Sequence, residues 1–218
     1  MGFTDELRRE TASLWERMVT HPFVRELGDG TLPQEKFRRY FCQDYLFVRG
    51  LVQLLALAVA KAPSFDAARR LSRFLDLVLT GEEALFQRAF RQMGLSPKEV
   101  EGLTPLPSCL SHTSYLLRLA YEGTFQELLL ALLVTEWTYL DWAQRLAAAG
   151  KRPENPAYRE WIEIHSGREL EEFVVWMRDY LDTTPVADRK RLEEVFATAL
   201  RYELLFWEMA YRGEEWPA

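Results

Sequence analysis

The stretch from Phe125 to Ala149, FQELLLALLVTEWTYLDWAQRLAAA, decides the fold of this chain. Thr124 with Glu127 marks its start, Gly123 and Gly150 bracket it, and neither glycine nor proline interrupts it. Leu129, Leu132, Leu133, Leu140 and Ala143 recur at helical spacing, and further apolar residues fill more than half the circumference. A helix that is apolar on most sides belongs at the centre of a helical bundle. Glu136 falls inside the apolar stripe. A carboxylate removed from water costs several kcal/mol unless it is paired, hydrogen-bonded or protonated, so this position marks a polar pocket.

Two other helices repeat the anomaly. Asp44 interrupts the stripe Phe37, Tyr40, Phe41, Phe47, Val48, Leu51, and Glu203 interrupts Phe196, Ala199, Leu200, Phe206, Trp207, Ala210. Three acids on three apolar faces point to a buried polar site inside a bundle.

The punctuation around these stretches predicts helices over 3–20, 33–62, 65–94, 97–101, 107–122, 125–149, 155–164, 166–182 and 186–212. Thr31-Leu-Pro-Gln34 reads as a capping box, and Ser64, Ser96-Pro97 with Glu99, and Thr184-Pro185 mark further starts. Stops fall at Pro63, Gly94, Gly123, Gly150 and Gly213. No segment sustains the period-two alternation of a strand. The expected fold class is all-α, with residues 1–218 forming a single domain.

Composition narrows the function classes. Of 218 residues, 48% are hydrophobic and 13% aromatic, which demands a packed core and excludes disorder. Charge is 27 basic against 33 acidic, with no basic block, so no nucleic-acid partner is expected. Cys42 and Cys109 are too few for a disulfide framework and suit a reducing compartment. The charged opening MGFTDELRRE has no apolar run, and the longest apolar stretch, Leu128 to Val134, is too short to span a bilayer. A cytoplasmic protein without a membrane partner is expected. The second face of helix 33–62 (Leu54, Leu57, Ala58) hints at subunit contacts.

His21-Pro-Phe-Val, Gly28-Asp-Gly-Thr-Leu-Pro33, Gln43-Asp44, Glu203-x-x-Phe-Trp207 and Met209-Ala-Tyr211 resemble, in order, the blocks of the TenA (thiaminase II) family. The similarity covers about residues 12–216. It implies a single-domain heme-oxygenase-like helical bundle, a homotetramer, and a pocket for the 4-amino-2-methylpyrimidine half of thiamin and its breakdown products. By the resemblance, Asp44 binds the aminopyrimidine, Tyr139 and Phe206 line the pocket, and Glu203 is the proton donor and acceptor near the reacting methylene. The chain also departs from the family. Val134-Thr135-Glu136-Trp137 stands where thiaminase-type members carry a nucleophilic cysteine in a Pro-Cys-x-Trp context, so Thr135 occupies the nucleophile position. His112 and His165 replace pocket tyrosines, and Phe47 stands where a tyrosine is usual. The chain is similar to the cysteine-lacking branch, in which an acidic residue is a feature of the same helix.

A threonine has no thiolate form to attach to the pyrimidine ring. Hydrolysis of an amide or amine on a thiamin-derived aminopyrimidine, such as the N-formyl aminomethylpyrimidine, therefore suits these residues better than cleavage of thiamin. Glu203 and Glu136 would be the catalytic acid and base, because two enclosed carboxyls take separated pKa values. Asp44, Phe47, His112, Thr135, Tyr139, His165 and Phe206 would bind the substrate. No cofactor and no resident metal are expected. Two alternatives stand beside this reading. One is a dimetal iron or manganese oxidase using Glu82 or Glu83, Glu136, His165, Glu169 and Glu172. The other is a pyrimidine-binding protein that does no chemistry.

Overall fold

The computed structural model describes Gly2–Pro217; among these residues there is no strand. The helices are α1 (Phe3–Glu10), α2 (Ala12–Val19), α3 (Pro22–Asp29), α4 (Gln34–Lys61), α5 (Phe65–Leu77), α6 (Glu83–Gln92), α7 (Pro97–Glu101), α8 (Pro107–Glu122), α9 (Phe125–Ala148), α10 (Pro156–His165), α11 (Arg168–Thr183) and α12 (Arg189–Arg212), with a π-helical turn, Val78–Glu82, joining α5 to α6. Backbone contacts divide them into two units.

The first unit comprises the residues up to Leu32 together with Gln126–Trp207. Its axis is α9, fully buried from Leu128 to Val134, as the apolar circumference predicts. Polar bonds at its two ends fix α9 against its neighbours. Arg191 of α12 donates to Glu127 at 2.5 Å. Asp141 accepts from Trp15 Nε1 of α2 at 2.6 Å and from Arg8 of α1 at 2.8 Å. Trp207 of α12 stacks on Phe23 of α3 at 4.7 Å and donates to the Met18 sulfur of α2 at 3.2 Å. The predicted helix 3–20 is two helices. The break falls at Thr11, whose backbone leaves the helical region at φ −103°, ψ 16°, and whose hydroxyl donates to the Leu7 carbonyl at 2.9 Å. Helix α3 was not expected. His21 Nδ1 accepts from Phe23 N at 3.1 Å, Pro22 takes the first position, and Gly30 closes the helix at φ +72°, a conformation open to glycine. Thr184 ends α11 rather than starting α12, whose first turn is capped by the Asp188 carboxylate bonding Arg191 N at 3.0 Å.

The second unit comprises Pro33–Phe125 together with the residues from Glu208 onward. Here α4 packs on α5 and α8. Phe41 meets Phe86 at 4.7 Å, Tyr45 meets Phe90 edge-on at 5.2 Å, and Gly50 lets the Thr113 methyl approach its backbone. Leu54 and Ala58 are spent in this core and Leu57 is half-buried, so that face does not argue for subunit contacts. By length and apolarity α4 could cross a membrane, unlike the Leu128–Val134 run; half of its apolar window is buried, and it packs on α5 and α8. The box expected at Thr31–Gln34 is absent: Pro33 caps α4 with no side-chain bond. Ser64 and the Ser96–Glu99 box cap as predicted. The π turn slips the helical register midway through the predicted helix 65–94.

Candidate active site

In the first unit, Glu203 sits on the buried side of α12, 3% exposed. Burial pushes its carboxyl up to about 8, partly opposed by a hydrogen bond from the Thr135 hydroxyl on α9. At neutral pH this acid is mostly protonated and can donate. Thr135 therefore lies beside Glu203, and Glu136, 6% exposed, follows it on α9.

His165 ends α10, 6% exposed, with Nδ1 2.8 Å from the Trp161 carbonyl oxygen. A carbonyl only accepts, so Nδ1 carries the hydrogen and Nε2 keeps its lone pair. Burial lowers this imidazole to about 4, against the Trp161 bond, so it is neutral at physiological pH. Tyr139 lies 4.9 Å from His165 and stacks on Trp207 at 5.5 Å, while Trp161 meets His165 edge-on at 4.3 Å. Phe206 is buried on α12.

In the second unit, Asp44 is 4% exposed on α4. Phe47, one turn on, packs on His112 of α8 at 4.9 Å. His112 is 1% exposed, and burial lowers it to about 3, so it too stays neutral. Burial first, then the Asp44 charge, pushes the Cys109 thiol up to about 12, while a Thr113 hydrogen bond opposes them. The Cys109 sulfur donates to the Gln43 carbonyl at 3.4 Å, and burial also raises Cys42. Neither thiol offers a thiolate at neutral pH.

Two residues have a part that sequence reasoning missed. The Gln43 amide donates to the Thr104 carbonyl at 3.1 Å and accepts from Leu106 N at 2.7 Å, which pins the loop entering α8. Glu82 ends the π turn with its Oε2 enclosed, and burial pushes its carboxyl up to about 7. Sequence placed it only among metal ligands, because a register slip leaves no mark in composition. The other proposed ligands are engaged elsewhere. Glu169 and Glu172 are exposed, Glu172 pairs with Arg168 at 2.6 Å, and Glu83 accepts from Gln87 at 2.8 Å. No cluster of three His, Cys, Asp or Glu groups suited to a metal occurs among the described residues.

A family model described as the TENA/THI-4/PQQC family matches residues 8–213. The chain belongs to this family. The aminopyrimidine aminohydrolase of Helicobacter pylori is 34% identical over 98% of this chain and 100% of that protein. Among solved structures, a TenA homologue from P. horikoshii OT3 is 31% identical with a TM-score of 0.90, covering 98% of this chain and 100% of that one. A domain from Shewanella denitrificans with a heme oxygenase-like fold, 15% identical, has a TM-score of 0.76 over 96% of this chain and 92% of that one. The fold of this TenA-family chain is thus the all-α, heme-oxygenase-like one. The matched span includes Asp44, Phe47, His112, Thr135, Glu136, Tyr139, His165, Glu203 and Phe206.

Proposed function

We propose that this chain hydrolyses thiamin-derived 4-amino-2-methylpyrimidines in thiamin salvage, cleaving an amide or amine on the 5-methylene without a cysteine nucleophile. The observation that carries the reading is the enclosed Glu203, a carboxyl that burial raises to about 8 with the Thr135 hydroxyl on it. Such a group is a ready proton donor at neutral pH. The likeness over the full chain to an aminopyrimidine aminohydrolase supports the substrate class.

For the N-formyl aminomethylpyrimidine, Glu136 takes a proton from water as the water oxygen bonds to the formyl carbon. The tetrahedral intermediate then expels nitrogen, the carbon–nitrogen bond breaks, and Glu203 delivers its proton to the departing amine. Formate and the aminomethylpyrimidine are the products. Asp44 accepts hydrogen bonds from the aminopyrimidine edge, and Phe47, Tyr139 and Phe206 supply apolar contacts. Thr135 lies beside the reacting carboxyl, and His112 and His165 act as neutral imidazoles. The family match runs through both units, which supports reading 1–218 as one TenA-like domain.

The protein works in the cytoplasm as a homotetramer; exposed Phe65, Leu77 and Leu79 along one stretch of α5 and the π turn are suited to subunit contacts. Light scattering on the eluting protein tests the assembly, and a monomer would contradict it. The activity is tested by offering pure protein the N-formyl aminomethylpyrimidine, the free aminomethylpyrimidine and thiamin, with products followed by mass spectrometry. Turnover of either aminopyrimidine and not of thiamin is expected. Binding with no product from any of the three would replace the hydrolase with a binder.

A further inference from the structure

The start of α8 carries no cap of its own. Leu106 stands at the N-cap without a side-chain acceptor, and Pro107, at the first helical position, has no N–H. The cap comes from Glu214, 106 residues away in the chain. Its Oε2 accepts from Ser108 N at 2.9 Å and its Oε1 from the Ser108 hydroxyl at 2.8 Å. Gly213 turns the chain out of α12 toward this contact. Its φ of +88° is open to glycine, and its N–H stays on the Met209 carbonyl at 3.0 Å. Two residues past Glu214, Trp216 Nε1 donates to the Pro105 carbonyl at 3.0 Å. The segment 213–216 thus straps the junction where the 102–106 loop enters α8, the junction that Gln43 pins from α4.

The strapped turn leads directly to a site residue. Ser108 and His112 are four residues apart on α8 and share a helix face. His112 packs on Phe47 at 4.9 Å, and Phe47 lies one turn from Asp44 on α4. Between Ser108 and His112, Cys109 donates to the carbonyl of Gln43, the residue before Asp44. A carboxylate at a helix N-terminus also complements the helix dipole. Glu214 therefore holds the first turn of α8 by hydrogen bonds and by charge, and His112 stands on the next turn.

We propose that Glu214 is a positioning residue, which by capping α8 sets His112 against Phe47 and so shapes the wall that receives the aminopyrimidine. The proposal rests on the reading of Asp44, Phe47 and His112 as substrate-binding residues. Glu214 makes no bond to the substrate in this role and acts through α8.

The experiment compares wild type, Glu214→Ala and Glu214→Gln with a control, Glu99→Ala, which breaks the Ser96–Glu99 box of α7 and leaves the α8 cap intact. Three quantities are read. The first is hydrogen exchange at the Leu110 amide, which bonds the Leu106 carbonyl at 2.9 Å in the first turn of α8. The second is the set of proton signals of the His112 ring, which the adjacent Phe47 ring shifts. The third is kcat and KM for the N-formyl aminomethylpyrimidine. Alanine is expected to speed Leu110 exchange about fivefold, to move the His112 signals, and to raise KM about fivefold with kcat within about twofold. Glutamine keeps an oxygen for Ser108 N and an N–H for the Ser108 hydroxyl to accept, so it is expected to restore all three. The control is expected to lose stability and keep the wild-type KM and His112 signals. An alanine variant with wild-type exchange, or one with faster exchange but unmoved His112 signals and KM, overturns the proposal. A control that raises KM as much as alanine also overturns it. Should the alanine protein not fold, Glu214→Asp, one methylene too short to reach both Ser108 groups, gives the same comparison. If wild type turns nothing over, the hydrolase reading fails, while Leu110 exchange and the His112 signals still decide whether Glu214 places His112.

Discussion

Replacing Glu203 by Gln should stabilise the protein, and by an amount that grows with pH. In the unfolded chain this carboxyl titrates near 4.5, and burial in the folded protein raises it to about 8. Between those values the folded state binds the proton more tightly than the unfolded state, so stability falls as pH rises and levels off above the folded value. At about 1.4 kcal/mol per unit, keeping the glutamate costs about 1 kcal/mol at pH 5, about 3 at pH 7 and about 5 at pH 9. Glutamine is isosteric and never ionises, so this cost vanishes. Whatever its amide loses on burial does not vary with pH. Glu82, also raised by burial, is present in both proteins and cancels in the comparison. The quantity to measure is the difference in melting temperature between variant and wild type across this range. It should widen by about 4 kcal/mol from pH 5 to 9, or about 8–16 °C for a chain of this size. A difference that stays flat over the range would refute the claim that Glu203 is a buried, proton-holding carboxyl.

Further outcomes follow from other parts of the structure. His112 and His165, lowered to about 3 and about 4 by burial, should show nitrogen-15 shifts of neutral imidazole at pH 5.5; midpoints near 6.5 would contradict their enclosure. Gly50→Ala sets a methyl against Thr113 where α4 meets α8 and should cost about 1–3 kcal/mol in urea unfolding. A neutral result there would mean that the two helices can part. Asp44→Asn should lower kcat/KM for the aminopyrimidine about 10- to 100-fold, the range expected for losing hydrogen bonds to a charged group. An unchanged value would remove Asp44 from substrate binding.

How much was legible depended on whether the signal was local. The boundaries of α7 and α8 were readable because Ser96 with Glu99, and Pro107 with Gly123, are caps written within a few residues. Burial of Asp44, Glu136 and Glu203 was readable because a helical stripe repeats every turn. The break at Thr11 was not, since a single residue whose backbone leaves the helical region carries no periodic mark. The π turn escaped because the apolar pattern continues on both sides of the slip. Helix α3 could have been found from His21-Pro22 and Gly30, whose capping geometry differs from the Ser and Thr starts that were sought. The His165 ring bonds the Trp161 carbonyl one turn back in its own helix, a contact that leaves no mark in the apolar pattern. The pairing of Thr135 with Glu203 joins α9 to α12 and has no sequence signature.

The most direct test of the account is product release from the N-formyl aminomethylpyrimidine by wild type and Glu203→Gln, with affinity for the same compound measured alongside. The account predicts formate and aminomethylpyrimidine from the wild type, and near-wild-type binding with turnover lost in the variant. A folded wild type that releases nothing from this compound or from the free aminomethylpyrimidine, or a Gln variant that turns over as fast as wild type, would contradict it.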